Sequence, residues 1–369
     1  MSNPLRLSYL SNSPLSASVA NAVHVMNICA CFAEQGHEVV LHAKCEPGSV
    51  PDLYAQYGVP ASFRIHGVAP SRWGRLGVIA YGARQAMYAR FVVKPDIAYA
   101  RCLLSAAFAA ALQMDLVLEL HEVPQGRLLS RLLRWLLASR RVRRVVVISD
   151  GLLEDLQAAF PAARAKDCVV AHDGASVPAV FEPVSLPPVA GCNVGYAGGL
   201  RSGNGVELML QLAAQLPEHA FHIVGGSAQE IADWKQRQTS QNVHWHGRLP
   251  PARVHGFLSA CDLLLAPYQH GPKTASGRDT SRWMSPLKIF EYMASGVPMV
   301  VSDFPVLREV LDQNMAMLVP VEDADAWQQA ICRLAESADQ RRQMGQAAFT
   351  AYKAHYTWSA RAVRVLENI

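Results

Sequence analysis

The sequence predicts an α/β protein built from two doubly wound, Rossmann-like parallel-sheet units, and three observations carry that expectation. Short β-branched runs alternate with longer helical patterns almost from end to end. The alternation breaks once, at residues 177–188, where Pro178, Pro183, Pro187 and Pro188 leave no helical period, and then restarts. The 369 residues are too many for one ordinary core and suit two units of similar size.

In chain order, residues 5–10 read as a strand, 19–35 as a helix stopped by Gly36, and 38–42 as the next strand. Strands are expected at 96–99, 116–120, 144–148 and 168–171, with helices at 75–91 and 152–160 between them. After the proline-rich linker the strands are 194–197, 221–224, 243–245, 262–266 and 299–302. The domains expected are 1–180, 189–345 and a C-terminal helix, 346–369, packing back on the first. Ligands of such sheets bind beyond the carboxyl ends of the strands, and a crevice between the two sheets is the expected site.

Composition narrows the class. Apolar residues are 51% and charged residues 17%, which excludes disordered and coiled-coil chains. The net charge of +4 is too mild for a surface-wide nucleic-acid binder, so no nucleic-acid partner is expected. Eight cysteines without a CxxC pair read as reduced thiols, and MSNPLRLSYL does not read as a leader, so a cytoplasmic location is expected. The richest apolar stretch, 102–118, is broken by Gln113 and Asp115 and falls short of the roughly 18 to 20 residues that span a bilayer.

The densest chemical signal is 284–298, MSPLKIFEYMASGVP. Ser285 suits an N-cap and Pro286 the first helical position, while Gly296 ends the helix. The N–H groups of Leu287 and Lys288 are then free, and the Lys288 charge reinforces an anion site at that helix end. Glu291, three residues on, lies on the same face, so phosphates at the helix start and ribose hydroxyls on the glutamate suit a nucleoside diphosphate. By spacing alone, a surface helix with a Lys–Glu pair is the simpler reading.

This segment resembles the donor-binding region of retaining, GT-B-fold glycosyltransferases of family 4, and the resemblance covers nearly the whole chain. Ser18-Val19-Ala20-Asn21-Ala22-Val23-His24-Val25-Met26, leading to Glu34-Gln35-Gly36-His37-Glu38-Val39, is similar to that family's first helix and turn. Leu118-Glu119-Leu120-His121-Glu122 resembles the acceptor-side strand and its following histidine. Val147-Ile148-Ser149 and Val170-Ala171-His172-Asp173-Gly174 match later strand ends. Val194-Gly195-Tyr196-Ala197-Gly198-Gly199-Leu200 looks like the Gly-rich turn of the donor domain, and Asp262-Leu263-Leu264-Leu265-Ala266-Pro267 like the strand before the sugar pocket.

The resemblance implies transfer of a sugar from a nucleoside diphosphate sugar to a glycan or lipid-linked acceptor, with retention of configuration and without a metal. It puts Glu291 on the ribose, and Ser285, Pro286, Leu287 and Lys288 on the diphosphate. Gly198 and Gly199 let backbone approach the diphosphate, and His121 meets the transferred sugar. Two features depart from the pattern. Trp283 stands where the family often has a first glutamate, and Gly199 and Asn204 stand where it usually has Arg and Lys, with Arg201 and Lys288 as the available cations. A GT-B nucleotide-sugar epimerase and a non-catalytic nucleotide-sugar binder are the alternatives.

Other patterns have plainer readings. His121-Glu122 reads either as an acid–base pair or as a strand-end histidine satisfied by backbone. Asp323-Ala324-Asp325 matches a metal-binding DxD, but Asp325 before a helix starting near Trp327 is a natural N-cap. His244-Trp245-His246 puts two imidazoles on one strand face with no third ligand nearby in sequence, so no zinc site is expected. HExxH, GxSxG and a GxGxxG after the first strand are absent. Residues 127–144 hold seven arginines interleaved with leucines and Trp135 and no acid, which fits an anionic membrane surface or a helix packed on its sheet. Arg72-Trp73-Gly74-Arg75 is a possible second membrane contact, and 267–282 is expected to shape sugar choice without roles for Lys273, Arg278 or Asp279.

Overall fold

The structure is a computed structural model that describes residues 3–17, 20–69, 74–177, 181, 184–269 and 280–369. Ser18, Val19, Arg72, Trp73, Pro178, Pro183, Lys273, Arg278 and Asp279 therefore lie outside the described residues. The chain forms two compact units, Met1–Asp173 with Trp358–Ile369, and Gly174–Thr357.

The first unit runs β1 (Arg6–Pro14), α1 (Ala20–Glu34), β2 (Glu38–Lys44), α2 (Val50–Tyr57), β3 (Arg64–Val68), α3 (Gly74–Tyr88), β4 (Ile97–Ala100), α4 (Leu103–Ala111), β5 (Leu116–Leu120), α5 (Arg127–Ala138), β6 (Val142–Val147), α6 (Asp150–Ala159) and β7 (Cys168–Val170). Its seven strands are all parallel, in the order β3-β2-β1-β4-β5-β6-β7. Buried parallel strands read as continuous apolar runs, and β5, Leu-Val-Leu-Glu-Leu, is buried at every residue. Glu119 is the exception to that rule, and it becomes the hub of a site.

The second unit runs β8 (Asn193–Ala197), α7 (Val206–Gln215), β9 (Ala220–Val224), α8 (Ala228–Lys235), β10 (Val243–Gly247), α9 (Pro251–Leu258), β11 (Leu263–Ala266), α10 (Leu287–Ser295), β12 (Met299–Ser302), β13 (Ala316–Val319), α11 (Ala324–Glu336) and α12 (Ala338–His355). Its six strands order as β10-β9-β8-β11-β12-β13, again all parallel. The order reverses between β8 and β11, the place where open α/β sheets bind ligands beyond their carboxyl ends. Ile289, Phe290 and Met293 of α10 pack on one sheet face with Leu264 and Met299, while Trp327 and Ile331 of α11 cover Leu265 and Val300 on the other. A last helix, α13 (Trp358–Leu366), returns to the first unit and packs on α1.

Several expectations are corrected. The boundary lies after Asp173 rather than at 180, and the return begins at Trp358 rather than 346, because 346–355 continue α12 against α10. One strand of the final sheets, β3, falls outside the expected strand series; it is a half-buried edge strand containing Arg64, His66 and Gly67. Asp323, not Asp325, caps α11, its carboxylate accepting the Ala326 N–H at 2.9 Å. Residues 127–144 are not one basic helix. α5 ends at Ala138 with Leu133, Leu136 and Leu137 buried, while Arg141 and Arg143 meet Asp115 and Arg144 meets Asp167.

Candidate functional site

Each unit gathers unusual charge at the carboxyl ends of its strands. In the second unit the charge sits on α10. Pro286 is extended (φ −79°, ψ 122°) and its carbonyl accepts the Ile289 N–H at 3.0 Å, so it is the N-cap and Leu287 the first helical residue. The helix thus starts one residue later than the Ser285 cap predicts, and Leu287 and Lys288 carry N–H groups with no acceptor inside the helix. Gly296 closes it in the left-handed conformation (φ 70°), as expected.

The helix is buried rather than a surface element. Tyr292 Oη accepts the Ala197 N–H at 2.9 Å and donates to the Leu265 carbonyl at 3.2 Å, which ties α10 to the ends of β8 and β11. Lys288, one turn earlier, therefore faces those strand ends. Only 9% exposed, its ammonium lies 4.1 Å from the Tyr196 ring centroid and 4.6 Å from that of Tyr268, and among the described residues it has no hydrogen-bond acceptor. Burial pushes its pKa down to about 7, with Glu291 opposing part of the shift. Glu291 is pushed the other way, upward by burial against the Lys288 charge.

Gly198 lies beside this ammonium. A Cβ there would stand 2.9 Å from Lys288 Nζ and 2.8 Å from Tyr196 Oη, so the position admits no side chain without displacing them. Gly225, at φ +129°, closes the turn from behind, where a Cβ would run into the Gly198 carbonyl. Gly199 accepts from Tyr196 Oη at 2.7 Å, and its own Cβ position is open. Arg201 is exposed on the same turn, and its charge acts on Glu230 of α8. Trp283 occupies the turn before α10, its N–H donating to the Thr280 carbonyl at 2.9 Å.

In the first unit the hub is Glu119. Tyr99 Oη and, at 3.4 Å, Arg361 Nη1 donate to its Oε2. His121 Nε2 donates to its Oε1 at 2.5 Å, with Arg101 Nε at 3.3 Å and His24 Nε2 at 3.1 Å from the same oxygen. His24 Nδ1 lies 2.7 Å from Asp173 Oδ1. Burial would raise the Glu119 carboxyl, but Arg361 and His24 outweigh it and hold it well below the usual range. Asp173 is likewise held at about 2, burial being outweighed first by His24.

His121 follows β5 as expected, yet its partners are Glu119 and Arg101, whose Nη2 donates to Nδ1 at 3.3 Å, rather than backbone. Burial and the Arg101 charge lower its pKa to about 4, so the ring is neutral near pH 7 and a weaker base than a free imidazole. His24, Glu119 and His121 bring ligand atoms close enough for a metal ion. Two guanidiniums already lie on the same carboxylate, so the charge a cation would need is taken. His222 of β9 stacks with His244 and His246 of β10, and its two ring nitrogens are taken by His246 and Asn193 rather than aimed with theirs at one point.

Sequence reasoning brought Lys288, Glu291, Gly198, Gly199, Ser285 to Leu287 and His121 forward, and the structure groups Lys288 with Gly198 and sets His121 in the separate first-unit cluster. It did not assign Tyr196, Tyr268, His24, Glu119, Asp173 or Arg361. A charge inside the apolar run of β5 was a local signal for Glu119; for Arg361 no local signal exists.

Comparison with known proteins agrees with this geometry. The chain matches the model described as Glycosyltransferase Family 4 over residues 22–175 and that described as Glycosyl transferase-like over 201–367. TuaH of Bacillus subtilis, named for a glycosyltransferase of teichuronic acid biosynthesis, is 27% identical over 116 residues, 31% of this chain and 28% of its own. A phosphatidyl-myo-inositol mannosyltransferase of Mycolicibacterium smegmatis is 26% identical over 164 residues, 43% of this chain and 39% of its own. The matched segments thus span well under half of these curated relatives. HepE of Anabaena, solved in complex with UDP and glucose, aligns with a TM-score of 0.70 at 17% identity over 98% of each chain, a likeness of fold. With one family model on each unit and two all-parallel α/β sheets beneath them, the chain belongs to the GT-B glycosyltransferases, its first half of family 4 and its second of the glycosyl transferase-like kind.

Proposed function

We propose that the protein transfers a sugar from a nucleoside diphosphate sugar to an acceptor hydroxyl with retention of configuration. The observation that carries this reading is the Lys288 ammonium, buried without an acceptor at the start of α10. Its fall from 10.5 to about 7 corresponds to a protonation penalty on the order of 5 kcal/mol, which an incoming diphosphate would offset. The diphosphate takes the N–H groups of Leu287 and Lys288 behind the Ser285-Pro286 turn, with Gly198 and Gly199 giving it backbone access and Arg201 a second, mobile cation. Glu291 accepts the ribose hydroxyls. His121 offers the sugar a fixed, neutral polar edge.

Departure of the diphosphate is stabilised by Lys288 and the helix end, so no metal ion is required, and turnover should persist in EDTA. HepE, of the same fold, was solved with UDP and glucose, which supports a nucleotide-sugar donor here. An epimerase would need free carboxylates around the sugar, whereas Glu119 and Asp173 are committed to Arg361 and His24. Incubation with UDP- and GDP-sugars and acceptor extracts tests the reading. Nucleotide released only in the presence of acceptor supports transfer, and tight nucleotide binding without any turnover would leave a binding protein instead.

We infer also that the acceptor is lipid-linked or membrane-bound and that the first unit docks on an anionic, cytoplasmic membrane face. No helix among the described residues is long and apolar enough to cross a membrane. The support is a stripe the structure leaves uncovered: Leu76 (70% exposed), Ile79, Met87 and Phe91 (63%) at helical spacing along α3 and the π turn Ala89–Val93. Leu128 and Trp135 of α5 are exposed as well. Arg84, Arg90, Lys94, Arg127 and Arg131 are exposed nearby in sequence, and residues 53–95 and 123–149 contain no acidic residue. Wild type should float with anionic liposomes and not neutral ones, and Phe91→Asp with Leu76→Asp should abolish flotation. A wild type that stays at the bottom in both ends this part of the reading.

A further inference from the structure

His121 begins the segment after β5, where backbone geometry alone leaves the imidazole free to turn. Charge holds it. Its Nε2 must carry the proton, because the ionised Glu119 carboxylate at 2.5 Å can only accept. Its Nδ1 must be the acceptor, because the Arg101 guanidinium at 3.3 Å can only donate. Both nitrogens are committed, so one tautomer and one ring orientation result.

The carboxylate that imposes this order is itself held from a distance. Arg361 lies on α13, the helix that comes back to the first unit after the whole of the second. It is 2% exposed. Its Nη1 donates to Glu119 Oε2 at 3.4 Å, its Nε donates to the His172 carbonyl at 3.1 Å, and the same Nε stands 3.9 Å from Asp173. Two buried carboxylates are thereby matched by two guanidiniums, Arg101 and Arg361. A leucine would close the α1–α13 contact at lower cost, since buried ion pairs seldom out-stabilise apolar packing. A buried arginine here therefore needs another reason.

We propose that Arg361 is a positioning residue for His121, acting through Glu119, so that the C-terminal helix completes the sugar-facing part of the first unit. The proposal rests on the role given to His121 under the proposed function. Without Arg361, Glu119 keeps only the Arg101 guanidinium and Asp173 loses its own. The deeply buried carboxylate then takes up a proton, ceases to be a pure acceptor, and releases the imidazole from its single tautomer.

The test compares wild type with Arg361→Met, Arg361→Lys, Glu119→Gln and the Glu119→Gln/Arg361→Met double variant. His121 ring tautomer is read by two-bond proton–nitrogen correlation NMR, beside kcat, donor KM and Tm. Wild type should show the Nε2–H form alone from pH 5 to 8. Arg361→Met should show mixed tautomers and lose about tenfold or more in kcat with donor KM within about twofold, the pattern of a lost transition-state contact. Arg361→Lys, which restores the charge, should recover the Nε2–H form and part of kcat. If Arg361→Met fails to fold, the double variant decides: a kcat equal to that of Glu119→Gln supports action through Glu119, and additive losses overturn it. An Arg361→Met protein with unchanged tautomer and kcat and only a lower Tm also overturns it. Should wild type transfer no sugar from any donor, the proposed function falls, while the tautomer comparison still decides whether Arg361 orders His121.

Discussion

The two units treat buried charge in opposite ways. In the first, Glu119, Asp173, Arg101, Arg361, His24 and His121 pair with one another, and among the described residues only single atoms such as Arg361 Nη2 are left without a hydrogen bond. In the second, Lys288 is buried against two aromatic rings with no acceptor among the described residues. A satisfied network rigidifies and orients, whereas an unsatisfied ion stores free energy that a ligand of opposite charge can release. The contrast separates a mutually paired cluster from a buried, unpaired cation, the feature on which the proposed diphosphate site rests.

The largest expected effect tests the first half of that contrast. Glu119→Ala strips one acceptor from Tyr99, His121 and Arg361 together and should cost about 3–5 kcal/mol of stability, read in urea melts. A loss under about 1 kcal/mol would mean the cluster is not the coupled ion-pair network described. Lys288→Met should do the reverse: removing an unpartnered buried ammonium should leave Tm equal or higher while nucleotide affinity falls by about 2–3 kcal/mol, measured by calorimetry. Wild-type affinity in that variant would remove the diphosphate from α10.

Glu291→Ala should weaken nucleotide binding by about 1–2 kcal/mol, and His121→Ala should spare binding but lower turnover, which sorts the two units by step. Titration provides the smallest effect. Free Lys288 titrates near 7 and a bound diphosphate keeps it protonated, so binding takes up a proton above that pH. Nucleotide affinity should be full below pH 7 and decline by up to about tenfold per unit above it. Stability of the free protein runs the other way, because its lysine binds fewer protons than the unfolded one between about 7 and 10.5, so stability rises across that window. Both slopes should vanish in Lys288→Met. His121, at about 4, should add no limb to activity between pH 5 and 8.

Local sequence was a good guide where local physics decides. Leu116–Leu120 and Met299–Ser302 are strands to the residue, because β-branched and leucine runs bounded by polar positions have little else to form. α10 was legible through its closing Gly296, and its start slipped by one residue because Pro286 fits the extended cap as readily as the first turn. β3 was hidden because an edge strand need bury only part of itself. The exposed stripe of α3 was missed for a different reason: the same apolar spacing describes a covered face and a bare one.

The residues themselves determined two parallel α/β units, a helix start that places Lys288 and Glu291 on one face, and a histidine after the fifth strand. Periodicity, caps and charge act within a few residues, so a one-dimensional reading can see them. Only the tertiary structure decided that Lys288 would be stranded between Tyr196 and Tyr268, and that His121 would be a fixed neutral ring. Those outcomes depend on burial and on partners such as Arg361, 242 positions from Glu119. Desolvation and pairing are properties of neighbours in space, and sequence separation does not carry them.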